Sequence, residues 1–220
     1  MTRPILFDLD GTLVDTPNAI VETFGATLTS LGVPGVSAEE IRGTIGLPLE
    51  KAFAQLIGTS APAATVEAAV PRYQRLYREN IVPKAQSLLY PGVADGLAEL
   101  CDAGLVLAIA TSKHTASAEV LLTAAGIRGH FAMVVGADAV TEPKPAAETG
   151  LLIAAELGHP ADRAIMVGDT THDIYMAHNA GMRSVAVTYG IHPPAQLAAA
   201  KPTWTVPTFP AAVEQILNAA

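Results

Sequence analysis

Cysteine is almost missing from this chain. Cys101 stands alone, so no intrachain disulfide can form and no cysteine-based zinc site can be assembled. A reducing, cytoplasmic setting is the expectation. Basic residues are also scarce, with 13 Lys plus Arg against 21 Asp plus Glu, and the net charge is -8. Without a basic block, neither nucleic acid nor an anionic membrane is expected as a partner. Long apolar runs are absent as well. The first one, Pro4–Phe7, is broken at Asp8 and is too short for a signal peptide or a membrane span. No internal repeat is visible, and the only compositional bias is toward alanine.

Apolar residues are plentiful. Half of the 220 residues are hydrophobic, enough for a sizeable core in one large domain or in one domain carrying an inserted module. Pro4–Phe7 reads as a buried strand. Pro17–Leu31 then has helical periodicity, with Thr16 as a candidate N-cap, Pro17 at the first helical position and Gly32 at the end. Ser37-Ala38-Glu39-Glu40 is a capping-box pattern. Gly43–Pro48 reads as a loop, and two further helices, Leu49–Ile57 and about Val66–Ile81, are separated by a Gly/Ser/Pro-rich connection.

From Tyr90 onward the pattern changes. Short apolar strands (Leu105–Ala110, Ala132–Val135, Ala164–Val167, Ser184–Val187) alternate with helices closed by glycines. That alternation predicts an α/β fold, a Rossmann-like doubly wound parallel sheet. The first strand belongs to this sheet, so the helical block interrupts it. The expected division is a core of residues 1–15 and 85–220 with an inserted all-helical cap of residues 16–84.

The densest chemistry follows the first strand, in Asp8-Leu9-Asp10-Gly11-Thr12. Two carboxylates two residues apart beside a buried strand are unfavourable unless compensated, and a divalent cation is the simplest compensation. A strand end with turn-capping aspartates is the plainer alternative. Ligands of open α/β sheets bind outside the carboxyl ends of the strands. The residues that follow the other strands are Thr111, Ser112 and Lys113, then Lys144 in Glu142-Pro143-Lys144-Pro145, then Asp169 and Asp173. Asp8, Asp10 and Asp169 offer hard oxygen ligands to a metal such as Mg²⁺. Thr111 and Lys144 offer donors to phosphate oxygens, and a carboxylate can serve as a nucleophile.

Asp8-Leu9-Asp10-Gly11-Thr12, Thr111, Lys144 and Gly168-Asp169-Thr170-Thr171-His172-Asp173, in that order, resemble the four motifs of haloacid-dehalogenase-type phosphatases. The resemblance covers essentially the whole chain, and the helical insertion matches that superfamily's first cap class. It implies that Asp8 attacks phosphorus and becomes an aspartyl-phosphate, while Asp10 protonates the leaving alkoxide and then activates water. It implies that Thr111 binds a phosphoryl oxygen and that Lys144 neutralises charge. Mg²⁺ would be held by Asp8, Asp169 and the backbone carbonyl of Asp10. Asp173 is either a water-mediated ligand or a holder of Lys144.

Around this set, Thr12, Ser112 and Lys113 are candidates for phosphate or substrate contact, with turn stabilisation as the alternative for Thr12. Arg42, in Arg42–Pro48, is the candidate substrate contact from the cap, the segment that matches the family's specificity loop. An exposed helix-end arginine is the alternative. Asp15-Thr16 and Pro83–Leu89 are candidate hinges. His172 and His178 read as helix-surface residues, and Trp204 and Phe209 as packing residues after the last strand.

The resemblance implies a Mg²⁺-dependent phosphatase of a small phosphate monoester, with a monomer as the expected state. Asp10 argues against a dehalogenase. Ile20, where the mutase branch usually has histidine, argues against a mutase. The chain is similar to phosphoglycolate-phosphatase-like enzymes. It also resembles, as a whole rather than through a motif, phosphatases of C-linked ribose 5-phosphates such as pseudouridine 5′-phosphate and alnumycin phosphate. A sugar- or C-ribosyl-5-phosphate is the expected substrate, with phosphoglycolate as the alternative. From a different class, a non-catalytic phosphate-binding protein would retain the fold but have no use for a nucleophile beside an acid.

Overall fold

A computed structural model describes residues 3–33, 35–58 and 63–219. Six parallel strands form one sheet in the order β3-β2-β1-β4-β5-β6: β1 Pro4–Phe7, β2 Val106–Ala110, β3 Phe131–Val135, β4 Ile165–Gly168, β5 Arg183–Val187 and β6 Trp204–Val206. Side chains alternate across its inner strands, with an irregularity where β3 pairs β2. Ile5 and Phe7 join Leu107, Ile109, Ile165 and Val167 in one apolar layer, while Leu6 joins Ala108, Ala110 and Met166 in the other. Both faces are therefore apolar, which is why the strands read as unbroken apolar runs.

Helices α5 (Val93–Asp102), α6 (Thr115–Ala124) and α10 (Phe209–Ala219) supply the first layer. Helices α7 (Glu148–Glu156) and α8 (Thr171–Asn179) supply the second, and α9 (Pro194–Ala199) packs through Leu197 on Ile174 and Ala186. Between β1 and β2 lies the helical insert: α1 Pro17–Ser30, α2 Ala38–Arg42, α3 Leu49–Ile57 and α4 Ala63–Asn80. Its centre is aromatic. Phe24 sits 4.6 Å from both Phe53 and Tyr73, ring to ring. The capping box of α2 is formed: Ser37 Oγ accepts from the Glu40 amide, and the Ser37 amide donates to Glu40.

Two stretches depart from expectation. Residues 82–88 form a 3-10 turn, and Trp204 begins β6 instead of following the last strand. Both are short, and Trp204-Thr205-Val206 lacks the apolar run that marks the inner strands. Helix α9 was likewise not legible. Phe209 does pack as expected, buried 5.9 Å from the Phe7 ring. Most of the Gly/Ser/Pro-rich connection expected after α3 (59–62) lies outside the described residues.

The two connections to the insert run side by side. Val14 and Leu89 form an antiparallel bridge, the Asp15 amide donates to Leu88 O at 2.7 Å, and the Tyr90 amide donates to Leu13 O at 3.1 Å. The insert is thus placed over the carboxyl ends of the strands.

Candidate active site

The first strand ends in a tight loop. The amides of Leu13 and Val14 both donate to Leu9 O, and the Gly11 amide donates to Val14 O. Gly11 has φ +86°, and a Cβ there would lie 2.3 Å from Asp169 Oδ2. Only glycine allows the first and fourth motifs to approach this closely. Glycine does the same at the end of β4, where a Cβ on Gly168 would meet Asp173 Cγ at 2.3 Å.

The loop brings Asp8 into a buried cluster. Lys144, 3% exposed, uses all three of its protons: Nζ donates to Asp8 Oδ1 at 2.9 Å, to Ala110 O at 2.9 Å and to Asp173 Oδ1 at 2.5 Å. Asp173 Oδ2 accepts from the Thr170 amide and hydroxyl at the start of α8. Both oxygens of Asp173 are therefore engaged, one of them in holding Lys144. Asp169 accepts from Thr12 Oγ1 at 2.7 Å and from the Ile191 amide at 2.8 Å. Thr12, a candidate for the phosphate with turn stabilisation as the alternative, is fully buried, and its hydroxyl donates to Asp169.

The electrostatics calls for a cation. Ligand atoms of Asp8, Asp169 and Asp173 all lie within 4.8 Å of one another. Lys144 is the ammonium that pairs with Asp8 and Asp173. Burial pushes the Asp8 carboxyl up to about 6 despite the opposing pull of Lys144. Burial, with the charges of Asp8 and Asp173, pushes Asp169 well above the usual carboxylate range. Burial pulls Lys144 down, but Asp173 and Asp8 more than offset it and hold the ammonium charged. Three buried carboxylates against one ammonium leave negative charge that a divalent cation with oxygen ligands would neutralise. The donor set fits such an ion.

Asp10 faces another way. Its Oδ1 accepts from Thr16 Oγ1 at 2.6 Å and Tyr77 OH at 3.3 Å, and its Oδ2 pairs with Lys113 Nζ at 2.9 Å. Thr16 begins α1, but its hydroxyl makes no cap bond, because it is turned to Asp10. The side chain of Asp10 is thus separate from the Asp8 cluster.

The loop after β2 ties the core to the insert. Ser112 Oγ donates to Gly46 O at 2.6 Å, and the Lys113 ammonium sits 4.1 Å above the Tyr77 ring centre. His114 reaches Glu50 at 2.9 Å and Gln74 at 3.3 Å. Ser112 and Lys113, candidates for phosphate or substrate contact, line the cavity beside Asp8 and Asp10 and also hold the insert and Asp10. Thr111 Oγ1 accepts from the Lys113 amide, and Thr111 lines the cavity beside Asp8 and Asp10.

That cavity lies between insert and core. Ile20, Phe24, Ile45, Leu47, Tyr73 and Tyr77 give it an apolar wall. Thr44–Leu47 of the expected specificity loop lines it, but Arg42 does not: it is exposed, and its guanidinium donates to Asn18 Oδ1 at 2.7 Å. Arg42 is the last residue of α2 and reaches across to Asn18 at the start of α1. His172 is only partly exposed rather than on the open helix surface. Its Nδ1 is buried with no hydrogen-bond partner among the described residues, and a Cβ on Gly46 would lie 3.0 Å from it. His178 is exposed as expected.

Tyr77, Tyr189 and Gly190 were missed. Tyr189 OH donates to Thr12 O at 2.7 Å, and a Cβ on Gly190 would lie 2.3 Å from Asp169 Oδ2. No local pattern marks Tyr189 or Gly190. Tyr73 and Tyr77, four apart on a helix, read simply as a buried stripe.

Strand order, helical insert and the Asp8/Lys144/Asp169 cluster together define a class, and the comparisons agree with it. Residues 5–187 match the haloacid dehalogenase-like hydrolases, and the chain belongs to that family as a phosphatase, a phosphoric monoester hydrolase. It is 51% identical over 205 residues to "probable phosphatase IndB" of Dickeya dadantii, covering 93% of this chain and 89% of that one. It is 34% identical over 197 residues to a phosphoglycolate phosphatase of Agrobacterium fabrum, covering 86% and 83%. Among solved structures, a "predicted phosphatase" from Clostridium acetobutylicum superposes with a TM-score of 0.85 at 25% identity, covering 99% of each chain.

Proposed function

We propose that the protein hydrolyses a small phosphate monoester in two steps, with Mg²⁺ as the resident ion. The observation that carries this reading is the division of labour between Asp8 and Asp10. Asp8 lies buried against Lys144 among carboxylates suited to a cation, while the Asp10 side chain points to the insert with its own donors.

Asp8 and Asp169, with the Asp10 carbonyl, would hold Mg²⁺, which would neutralise charge on the phosphoryl group and on Asp8. The Asp8 carboxylate attacks phosphorus as the P–O bond to the alcohol breaks, and Asp10 hands its proton to the departing alkoxide. Asp10, now a carboxylate, takes a proton from water as that water attacks phosphorus. The aspartyl P–O bond then breaks, releasing inorganic phosphate and restoring Asp8. Lys144 orients Asp8 and offsets charge, and Thr111 donates to a phosphoryl oxygen. Asp173 acts by holding Lys144.

For the substrate we infer a sugar- or C-ribosyl-5-phosphate. A carboxylate on the leaving group would need a free cation in the cavity wall. Lys113 is paired with Asp10 and His114 with Glu50, so among the lining residues the exposed Arg78 alone is left to serve a carboxylate, which is what the phosphoglycolate reading requires. The apolar wall suits a neutral leaving group with carbon faces. Ile20, buried and lining the cavity, brings no proton-transfer group, which favours hydrolysis over mutase chemistry. Phosphoglycolate is the second reading, because relatives such as the Agrobacterium fabrum enzyme carry that name. Phosphate release from ribose 5-phosphate, pseudouridine 5′-phosphate and phosphoglycolate, with Mg²⁺ and with a chelator, decides between them. The highest kcat/KM should fall on a ribosyl phosphate and vanish with the chelator. A clear preference for phosphoglycolate overturns the substrate reading, and no release from any ester overturns the hydrolase reading.

A further inference from the structure

Three donors converge on Asp10 from three segments. Thr16 lies at the first connection to the insert, Lys113 on the loop after β2, and Tyr77 on α4 of the insert itself. Tyr77 is 3% exposed, and it does two things at once: its hydroxyl donates to Asp10 Oδ1, and its ring carries the Lys113 ammonium that pairs with Asp10 Oδ2. An ammonium over an aromatic face is favourable, so the ring fixes where Lys113 stands.

We propose that Tyr77 is a positioning residue for proton transfer at Asp10. The inference rests on the acid/base reading of Asp10 given above. Thr16 and Tyr77 donate to Oδ1 and Lys113 pairs with Oδ2, so the three donors together set where the Asp10 carboxyl stands. The proton passes from the Asp10 carboxyl to the leaving alkoxide as its bond to phosphorus breaks, and a proton from water later returns to that carboxylate. Proton transfer demands hydrogen-bond reach, and a misplacement of about 1 Å can cost roughly a hundredfold in rate. Because Tyr77 belongs to α4, its bond to Asp10 exists only while the insert is seated on the core.

Tyr77→Phe tests this, since it removes only the hydroxyl and keeps the ring between Tyr73 and Lys113. The readout is dependence on the leaving group. An alkoxide needs a proton to depart, whereas 4-nitrophenolate leaves without one, and kcat/KM reports only the steps through alcohol release. The probes are 4-nitrophenyl phosphate and whichever of ribose 5-phosphate, pseudouridine 5′-phosphate and phosphoglycolate is hydrolysed fastest. For the alkyl ester, kcat/KM should fall about tenfold, the low end for a hydrogen bond to a charged group. The fall for 4-nitrophenyl phosphate should be several-fold smaller. An equal fall for both esters, or none for the alkyl ester, overturns the proposal. Asp10→Asn run in parallel must show the same bias more strongly. If it does not, the acid/base reading fails and this inference fails with it. If Asp10→Asn is biased and Tyr77→Phe is not, only the role of Tyr77 falls.

Discussion

Asp8 and Asp10 stand two residues apart on one loop, yet their surroundings have little in common. Asp8 is closed in by core groups: Lys144 from the loop after β3, with Asp169 and Asp173 from the end of β4 and the start of α8. Asp10 is bounded by the insert and its attachments, through Tyr77, Thr16 and Lys113. The first environment is buried and short of positive charge; the second is rich in donors and depends on how the insert sits. On the proposed mechanism, one region would set what bond can be broken and the other when a proton can move. The two can be separated by experiment.

The largest effect should come from Asp8→Asn. Removing a nucleophile that no neighbour can replace should lower kcat by at least about a thousandfold, with the circular dichroism spectrum unchanged. Measurable turnover at near-normal rate would return Asp8 to the rank of an ordinary buried carboxylate. Lys144→Met comes next and reads out as stability. It leaves Asp8 and Asp173 without their shared ammonium, a loss on the order of 3–5 kcal/mol in urea unfolding. Unchanged stability would show that the cluster is balanced by something other than Lys144.

A smaller effect follows from the raised carboxyl groups. Asp8 titrates at about 6 in the folded protein against 3.8 unfolded. A raised carboxyl favours folding most when protonated, so the metal-free protein should lose stability as pH rises from about 4 through 6. Bound Mg²⁺ takes the place of that proton. The rise in Tm on adding Mg²⁺ should therefore be several degrees larger at pH 7.5 than at pH 5. An equal rise at both values would mean that the ion does not compete with protons at this cluster.

The same contrast explains what the sequence could and could not reveal. Asp8, Lys144 and Asp169 follow strand ends, and strand ends are legible because an unbroken apolar run stops at a polar residue. Their convergence then follows from parallel topology. The Asp10 side depends on how an inserted block lies over the sheet, which no local period encodes. Thus nothing singles out Tyr77, Thr16 reads as a helix cap, and Arg42 reads equally as a substrate contact or as the exposed helix-end arginine that its bond to Asn18 makes it. Trp204–Val206 was missed for a plainer reason, being a three-residue strand at the sheet edge with a threonine at its centre.

Ser112 gives the finest test of the contrast. Its Oγ donates to Gly46 O, which joins the loop after β2 to the α2–α3 loop across the cavity mouth. Neither Ser112 nor Gly46 belongs to the charge cluster around Asp8, so Ser112→Ala should leave Mg²⁺ affinity as it was. What it removes is one neutral hydrogen bond between insert and core, about 0.5–1.5 kcal/mol. That energy favours the seated insert over a displaced one, so its loss lowers the seated fraction available to bind substrate. KM should then rise by about two- to tenfold, while the stability of the core to urea changes little. If instead KM holds and kcat drops in step with Mg²⁺ affinity, the loop after β2 acts on the metal side of the site, and the boundary drawn between the two aspartates lies in the wrong place.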